Sequence, residues 1–282
     1  MKILALKIYT DTIKGYREGV PRLLDMLNEL ALEGSFFFAM GAESGASVVS
    51  KFFNGLGGGM GGLNEGREII ASAPGIIRDA HRRGQDCGVY GWNAFEWLYR
   101  LEKMKDTTLE ADIKRAVEYF ARRTGARPNG FAAPGFRASY ISLRIEDDVR
   151  FRYCTDTFGF YPFLPKMSWK TFRTPQVPST LPPLEVMLSR ANENTVRERL
   201  QDLQNGLPDG LSVLPLNSIV ATMPEILEPL REFLLHCSDR GVKFIHLDRV
   251  VRSIDVANLP ACEVASAKAF GMARDVAVQS LE

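Results

Sequence analysis

The chain has 282 residues, 45% of them hydrophobic, enough to bury the core of one barrel-sized domain or two small ones. Lys and Arg number 35 against 34 Asp and Glu, so the charge balance excludes a polyanion-coating protein and nucleic acid is not an expected partner. No apolar run approaches the roughly 18 residues of a membrane span, and the opening segment 1–8 is short for a signal peptide and has no cleavage region, so a cytoplasmic protein is expected.

Residues 2–8 read as a buried strand. Val20, Leu23, Leu24, Leu27 and Leu30 recur at helical spacing, with Gly34 placed to stop the helix. The run 35–40 is a second strand. A helix over about 74–83 is framed by Pro74 and Gly84, and 87–90 is a third strand. Ile113, Val117 and Phe120 mark a helix that ends at Gly125; 131–133 and 152–155 read as a fourth and a fifth strand. The segment 172–182 is extended and proline-rich. A late strand at 211–214, a helix over about 224–239 and a strand at 242–246 complete the series. Strand–helix alternation sustained this long predicts an α/β fold with a parallel sheet, open or closed into a barrel. In a parallel barrel the functional groups sit just after the strands. The barrel is expected over 1–254, with 255–282 as a weakly patterned tail or peripheral helix.

Residues 41–66 contain nine glycines together with Phe52, Phe53, Leu56, Met60 and Leu63. No secondary-structure period survives that many glycines, so a loop is expected. Its 45–63 portion suits contact with a lipid surface or a partner, or folding over the barrel mouth. Cys87, Cys154, Cys237 and Cys262 are far apart and form no C-x-x-C pair, which predicts free thiols in a reducing compartment. The only histidines are His81, His236 and His246.

The strand ends carry an ordered series of short motifs. Tyr9-Thr10-Asp11-Thr12 is followed by Arg17-Glu18-Gly19-Val20-Pro21-Arg22-Leu23-Leu24; later come Gly135-Phe136-Arg137-Ala138, Arg152-Tyr153-Cys154-Thr155-Asp156 and Gln176-Val177-Pro178-Ser179-Thr180-Leu181-Pro182. This series, spread over about 6–247, resembles the polysaccharide deacetylase (NodB-homology) family, and within it the deformylases of lipid-linked aminoarabinose synthesis. The resemblance implies a distorted (β/α)7-type barrel and descent from hydrolases that remove acyl groups from sugar amines. It also implies a divalent metal held by one Asp and two His, a second Asp as general base and a late His as general acid.

Asp11 falls at the metal-Asp position, but Tyr9 stands where the base should be. The two metal imidazoles align with Tyr90 and Ala94 in Tyr90-Gly91-Trp92-Asn93-Ala94, and the acid aligns with Asn217. A phenol with a reference pKa of about 10 is no substitute for a carboxylate base at neutral pH, and an amide shuttles no proton. The expected site therefore holds no metal and needs no cofactor. What remains is a pocket of Asp11, Tyr9, Tyr90, Trp92, Asn93, Glu96, Arg137, Asp156, Thr180 and Asn217, with Arg137 and Asp156 read as a pair at successive strand ends. Such an aromatic, hydrogen-bonding cleft suits a sugar-lipid or another small molecule. The leading expectation is a binding or accessory protein, acting beside a pathway enzyme and reaching the inner membrane only peripherally. The alternatives are a metal-free enzyme using Asp11, Tyr9, Tyr90 and Arg137, or a metal-dependent deacetylase or deformylase.

Overall fold

The computed structural model describes residues 1–41, 69–73, 75–188 and 193–281. The glycine-rich segment beyond Gly41, including the 45–63 portion expected to meet a lipid surface or a partner, lies outside the described residues, as does Pro74.

Seven strands build the main sheet: β1 (Lys2–Thr10), β2 (Ser35–Phe38), β3 (Asp86–Val89), β4 (Gly130–Phe131), β5 (Tyr153–Cys154), β8 (Gly210–Asn217) and β9 (Lys243–Phe244). All their pairings are parallel, in the order β5-β4-β3-β2-β1-β8. β9 pairs with Ile3 and Leu4 at the start of β1, below the stretch where Lys7–Thr10 pairs with β2. Helices follow the strands: α1 (Val20–Glu29), α2 (Ile76–Arg82), α3 (Ala94–Arg100), α4 (Asp106–Thr124), α5 (Tyr140–Val149), α6 (Glu193–Gly206), α7 (Pro224–Asp239) and α8 (Leu247–Arg252). α4 ends because Gly125 takes a left-handed φ of 79°, a conformation that other residues adopt only at a cost. α5 begins at a reciprocal cap in which Ser139 and Ser142 bond each other's backbone.

β1 is the central strand and is buried on both faces, which is why it reads as a continuous run without alternation. Leu4, Leu6 and Ile8 lie on one face, all at most 1% exposed. Each such side chain contributes roughly 1.5–3 kcal/mol when removed from water. Ala5, Lys7 and Tyr9 lie on the other face, because successive strand residues alternate.

The extended segment 175–181 closes the sheet into a barrel. The Cys154 N–H donates to the Pro175 carbonyl, and Val177 donates back to Cys154. On its other side Thr180 and Leu181 donate to the Val213 carbonyl, while the Val213 N–H donates to Thr180 Oγ1 at 2.9 Å. A segment that sequence marks only as proline-rich thus bridges β5 and β8.

The C-terminal segment is not a helix. β10 (Ala261–Ala267) and β11 (Val276–Gln279) form an antiparallel hairpin. It joins β6 (Leu164–Met167) and β7 (Lys170–Thr171) in a second, four-stranded sheet. The hairpin is fastened to the barrel at Phe158, which exchanges backbone hydrogen bonds with Ala277 and Gln279. Small residues at alternate positions of Ala261–Ala267 blur the period-2 signal, so the strand is illegible from hydrophobicity alone.

The end of the barrel opposite the mouth is locked by one carboxylate. Asp86 Oδ2 accepts from Ser35 Oγ at 2.8 Å, Tyr153 OH at 2.5 Å and the Asp248 N–H at 3.3 Å, and Oδ1 accepts from Asn129 Nδ2 at 3.0 Å. These bonds tie β2, β3, β5 and α8 together.

Candidate functional site

The carboxyl ends of the strands converge on a hollow of about 170 Å³. Tyr9 comes from β1 and Tyr90 from the residue after β3. Gly135 and Phe136 come from the turn after β4, Glu185 and Val186 from a one-turn helix, and Met272, Arg274 and Val276 from the C-terminal hairpin. The rings of Tyr9 and Tyr90 stack with centroids 5.1 Å apart and planes 17° from parallel. Phe136 meets Tyr9 edge-on at 6.3 Å and stacks on Phe158 at 4.4 Å. Phe136 is brought there by two successive residues with positive φ, Gly135 at 67° and Phe136 itself at 56°. For an aromatic side chain that backbone is strained, and strain of this kind marks functional turns.

Asp11 and Asn217 sit beside this aromatic stack, both buried. The Asn217 amide is oriented by its neighbours: its Oδ1 accepts from the Ile219 N–H at 3.0 Å, so its Nδ2 faces Asp11 Oδ1 at 3.5 Å. The Tyr90 hydroxyl accepts from the Gly135 N–H at 3.1 Å. Burial, reinforced by the nearby Asp11 carboxylate, pushes the Tyr90 phenol above its ordinary range, so it stays protonated.

The family resemblance implies a zinc-like ion here, and the residues present do not fit one. Zinc sites take three or four ligands from thiolate, imidazole and carboxylate. Asp11 is met by an amide donor and a neutral phenol. His81 lies on α2, His236 lies in a groove between α6 and α7, and His246 caps α8 with its Nε2 3.9 Å from Glu33. Among the described residues one group of three potential metal-binding side chains occurs, Glu146, Cys154 and Asp156, and Asp11 is not part of it.

That buried group lies behind the mouth and has a different logic. Asp156 is a clasp: Oδ1 accepts from the Ala133 N–H at 2.7 Å, Oδ2 accepts from Gln176 Nε2 at 2.6 Å, and its own N–H donates to Gln176 Oε1 at 2.9 Å. Burial holds both Asp156 and Glu146 above the usual carboxylate range, Glu146 further raised by the Asp156 charge.

Arg137 and Asp156 are therefore not the pair expected from their positions at successive strand ends. The double positive-φ turn sends the Arg137 side chain outward to the Leu98 carbonyl, at 2.5 Å, and to the Glu102 carboxylate. A metal-free constellation of Asp11, Tyr9, Tyr90 and Arg137 is not assembled.

Other expected pocket residues are dispersed as well. Trp92 packs outside the hollow, with Tyr119 at 4.9 Å and the Arg115 guanidinium 3.8 Å from its ring. Asn93 caps α3 by accepting from the Glu96 N–H at 3.1 Å, and Glu96 pairs with Arg100. These three residues line a separate surface depression. Thr180 is committed to Val213 and borders another, near the start of β8. Of the ten expected residues, the mouth brings together Tyr9, Tyr90, Asp11 and Asn217.

Sequence reasoning missed two buried titratable groups near it, Lys7 and Glu185. Lys7 is wholly buried on β1, its Nζ donating to the Thr155 carbonyl and lying 4.3 Å from the centre of the Phe136 ring. Burial lowers its pKa to about 7, against the attraction of Asp156 and Glu185. Glu185, 6% exposed, is raised to about 7 by burial, opposed by N–H donors from its own backbone and Asn217 and by Lys7. The signal for Lys7 was available: Lys7, Tyr9 and Asp11 are two apart and share one face of a strand.

A family model described as polysaccharide deacetylase matches residues 11–153, half of the chain. The chain belongs to the polysaccharide deacetylase family. Among curated relatives of this deacetylase-family chain is a probable 4-deoxy-4-formamido-L-arabinose-phosphoundecaprenol deformylase of Shewanella sediminis, 22% identical over 270 residues, covering 90% of this chain and 87% of that protein. Among solved structures, a putative polysaccharide deacetylase from Mycobacterium smegmatis superposes with a TM-score of 0.70 at 15% identity, over 95% of this chain and 96% of that one. A family pseudoenzyme from Bacillus anthracis superposes with a TM-score of 0.58 at 11% identity, over 93% of this chain and 69% of its own. At these identities the structural likenesses establish the deacetylase barrel. No helix among the described residues is long and apolar enough to cross a membrane.

Proposed function

We propose that this chain is a polysaccharide deacetylase family member that binds a small molecule at the barrel mouth and does not perform the family's metal-dependent amide hydrolysis. The observation that carries this reading is the Asn217 amide, fixed by Ile219 so that an N–H donor faces Asp11. A cation at Asp11 would meet that donor and a phenol held neutral, where zinc needs anionic or imidazole ligands. The retained hollow, walled by aromatic rings and bordered by one buried carboxylate, supports a ligand-binding role. The curated relatives are named for a lipid-linked sugar substrate, which makes lipid-linked sugars one ligand class to test and a partner in such a pathway one place for the protein.

Metal analysis tests the central claim. Purified protein dialysed against excess zinc and then against buffer is expected to retain no stoichiometric zinc, and Asp11→Asn is expected to leave the metal content unchanged. One tightly held zinc per chain, lost in that variant, would overturn the reading.

A further inference from the structure

The turn of the C-terminal hairpin brings one guanidinium to the barrel mouth. Arg274 lines the hollow together with Tyr99, whose ring centre lies 4.4 Å from the guanidinium carbon. The turn holds its own shape: Lys268 Nζ donates to the Ala273 carbonyl at 2.8 Å, and the Met272 N–H donates to the Ala269 carbonyl at 2.9 Å. Asp275, next to Arg274 in the chain, pairs with Lys268 at 3.2 Å. The arginines that follow Tyr99 and Phe136 in the chain, Arg100 and Arg137, are matched by Glu96 and Glu102. Among the described residues no carboxylate pairs with Arg274, and none accepts from its N–H groups. Stacking on Tyr99 fixes the guanidinium plane and leaves its edge free, the geometry in which arginine grips a carboxylate or a phosphate.

The other charges nearby do not oppose this one. Glu185 also borders the hollow, but its Oε2 is sealed from solvent and its charge is offset by buried Lys7. Asp11 is buried on the far side of the Tyr90 phenol, facing Asn217. Among the described residues that line the hollow, Arg274 is the one charged side chain exposed to solvent. The walls are aromatic and aliphatic, with Tyr9, Phe136, Leu98, Val186, Met272 and Val276 among them. A hydroxyl-rich body would leave its polar groups poorly paired against such walls. The volume sets the size. At about 170 Å³ the hollow is close to an engineered apolar cavity of roughly 150 Å³ that takes one benzene. It has room for one ring and none for a spacer, so the ligand's charge sits directly on its ring.

We propose that the hollow takes an oxyanion, a carboxylate or a phosphate, carried on a single apolar ring, with the ring packed among Tyr9, Phe136, Met272 and Val276 and the anionic group held at the rim by the Arg274 guanidinium. This rests on the reading of the barrel mouth as a binding site, and it names the ligand chemistry that reading leaves open. Specificity follows from the pairing. A neutral alcohol of the same shape forgoes the charge-assisted hydrogen bonds, and an amine meets like charge at the rim.

The test is calorimetric titration of the intact chain at pH 7.5 with benzoate, phenyl phosphate, benzyl alcohol, benzylamine, glucose 1-phosphate and inorganic phosphate. Benzoate or phenyl phosphate is expected to bind at least tenfold more tightly than any of the other four, and the tighter of the two identifies the anion. Arg274 is exposed, so Arg274→Gln should fold normally, lose that preference and keep the affinity for benzyl alcohol. Arg274→Lys, which keeps the charge, should restore part of the preference. Met272→Trp, which fills the hollow and leaves Arg274 in place, should abolish binding with the circular dichroism spectrum unchanged. Benzyl alcohol or benzylamine binding as tightly as the two anions would overturn the oxyanion assignment while leaving the mouth a small-molecule site. Anion affinity unchanged in Arg274→Gln would overturn the role of that side chain. Glucose 1-phosphate or inorganic phosphate binding as tightly as phenyl phosphate would overturn the apolar ring. No binding by any of the six would overturn the proposal, and the reading it rests on is judged separately by zinc content.

Discussion

Asp86 and Glu185 are both buried carboxylates, at opposite ends of the barrel, and the protein treats them in opposite ways. Asp86 accepts four hydrogen bonds from four different segments. Glu185 keeps an oxygen without any, as do the hydroxyls of Thr10 and Ser218 at the same end of β1 and β8. A saturated polar group fixes neighbouring elements in one arrangement, whereas an unsaturated one carries an uncompensated cost of burial. The Asp86 brace thus sits at the strand beginnings and the orphaned Glu185, Thr10 and Ser218 oxygens at the strand ends, although Glu33 and Ser212 also hold unpartnered oxygens near the beginnings.

Denaturation experiments can break this contrast. The largest effect is expected at the braced end. Asp86→Ala removes the acceptor of Tyr153, Ser35, Asn129 and the Asp248 N–H together, and should lower unfolding stability by roughly 4 kcal/mol. A loss below about 1 kcal/mol would mean that those donors find other partners and the brace is not one.

The next effect has the opposite sign and depends on pH. A carboxyl group raised from 4.5 to about 7 in the folded state binds a proton there that the unfolded chain has already released. Its contribution to stability is therefore intact below about pH 4.5 and lost as pH rises to about 7. Glu185→Gln should remove that dependence. At pH 8 the variant should gain up to about 3 kcal/mol over the parent, reduced by the partner charge Lys7 loses, and at pH 4.5 it should gain nothing. Urea midpoints across that range measure it, and a pH-independent difference would reject the assignment.

The smallest effect sharpens the correction at Arg137. Glu102→Ala removes an exposed partner and should cost less than about 1 kcal/mol. Urea midpoints measure it, and a loss well above that would mean that the Arg137–Glu102 pair braces the turn at Gly135 and Phe136.

Much of the frame was legible in the sequence because it rests on local rules. The strand–helix alternation, the stop at Gly125 and the α7 span all follow from periodicity and caps. Tyr9, Tyr90 and Asn217 were legible because strand ends are where a barrel puts its chemistry. The rest depends on backbone direction and long-range contact. Nothing local says that Gly135 and Phe136 both take positive φ, so nothing local says that Arg137 turns away from Asp156. Glu185 follows the motif Gln176–Pro182 without any period of its own, and its importance exists only once Lys7 stands across from it. Trp92, Asn93 and Glu96 follow a strand too, but the chain enters α3 at once and carries them outside.

Four residues lining the hollow, Met272, Ala273, Arg274 and Val276, come from the C-terminal hairpin and not from the barrel. That wall follows every strand of the closed sheet in the chain, so the main sheet can pair before this side of the hollow exists. Under the proposed function it is also a separable specificity cassette. Substitutions at 272, 274 and 276 can change what the mouth accepts without touching a residue of the main sheet, which gives ligand preference a route to diverge while the barrel stays the same.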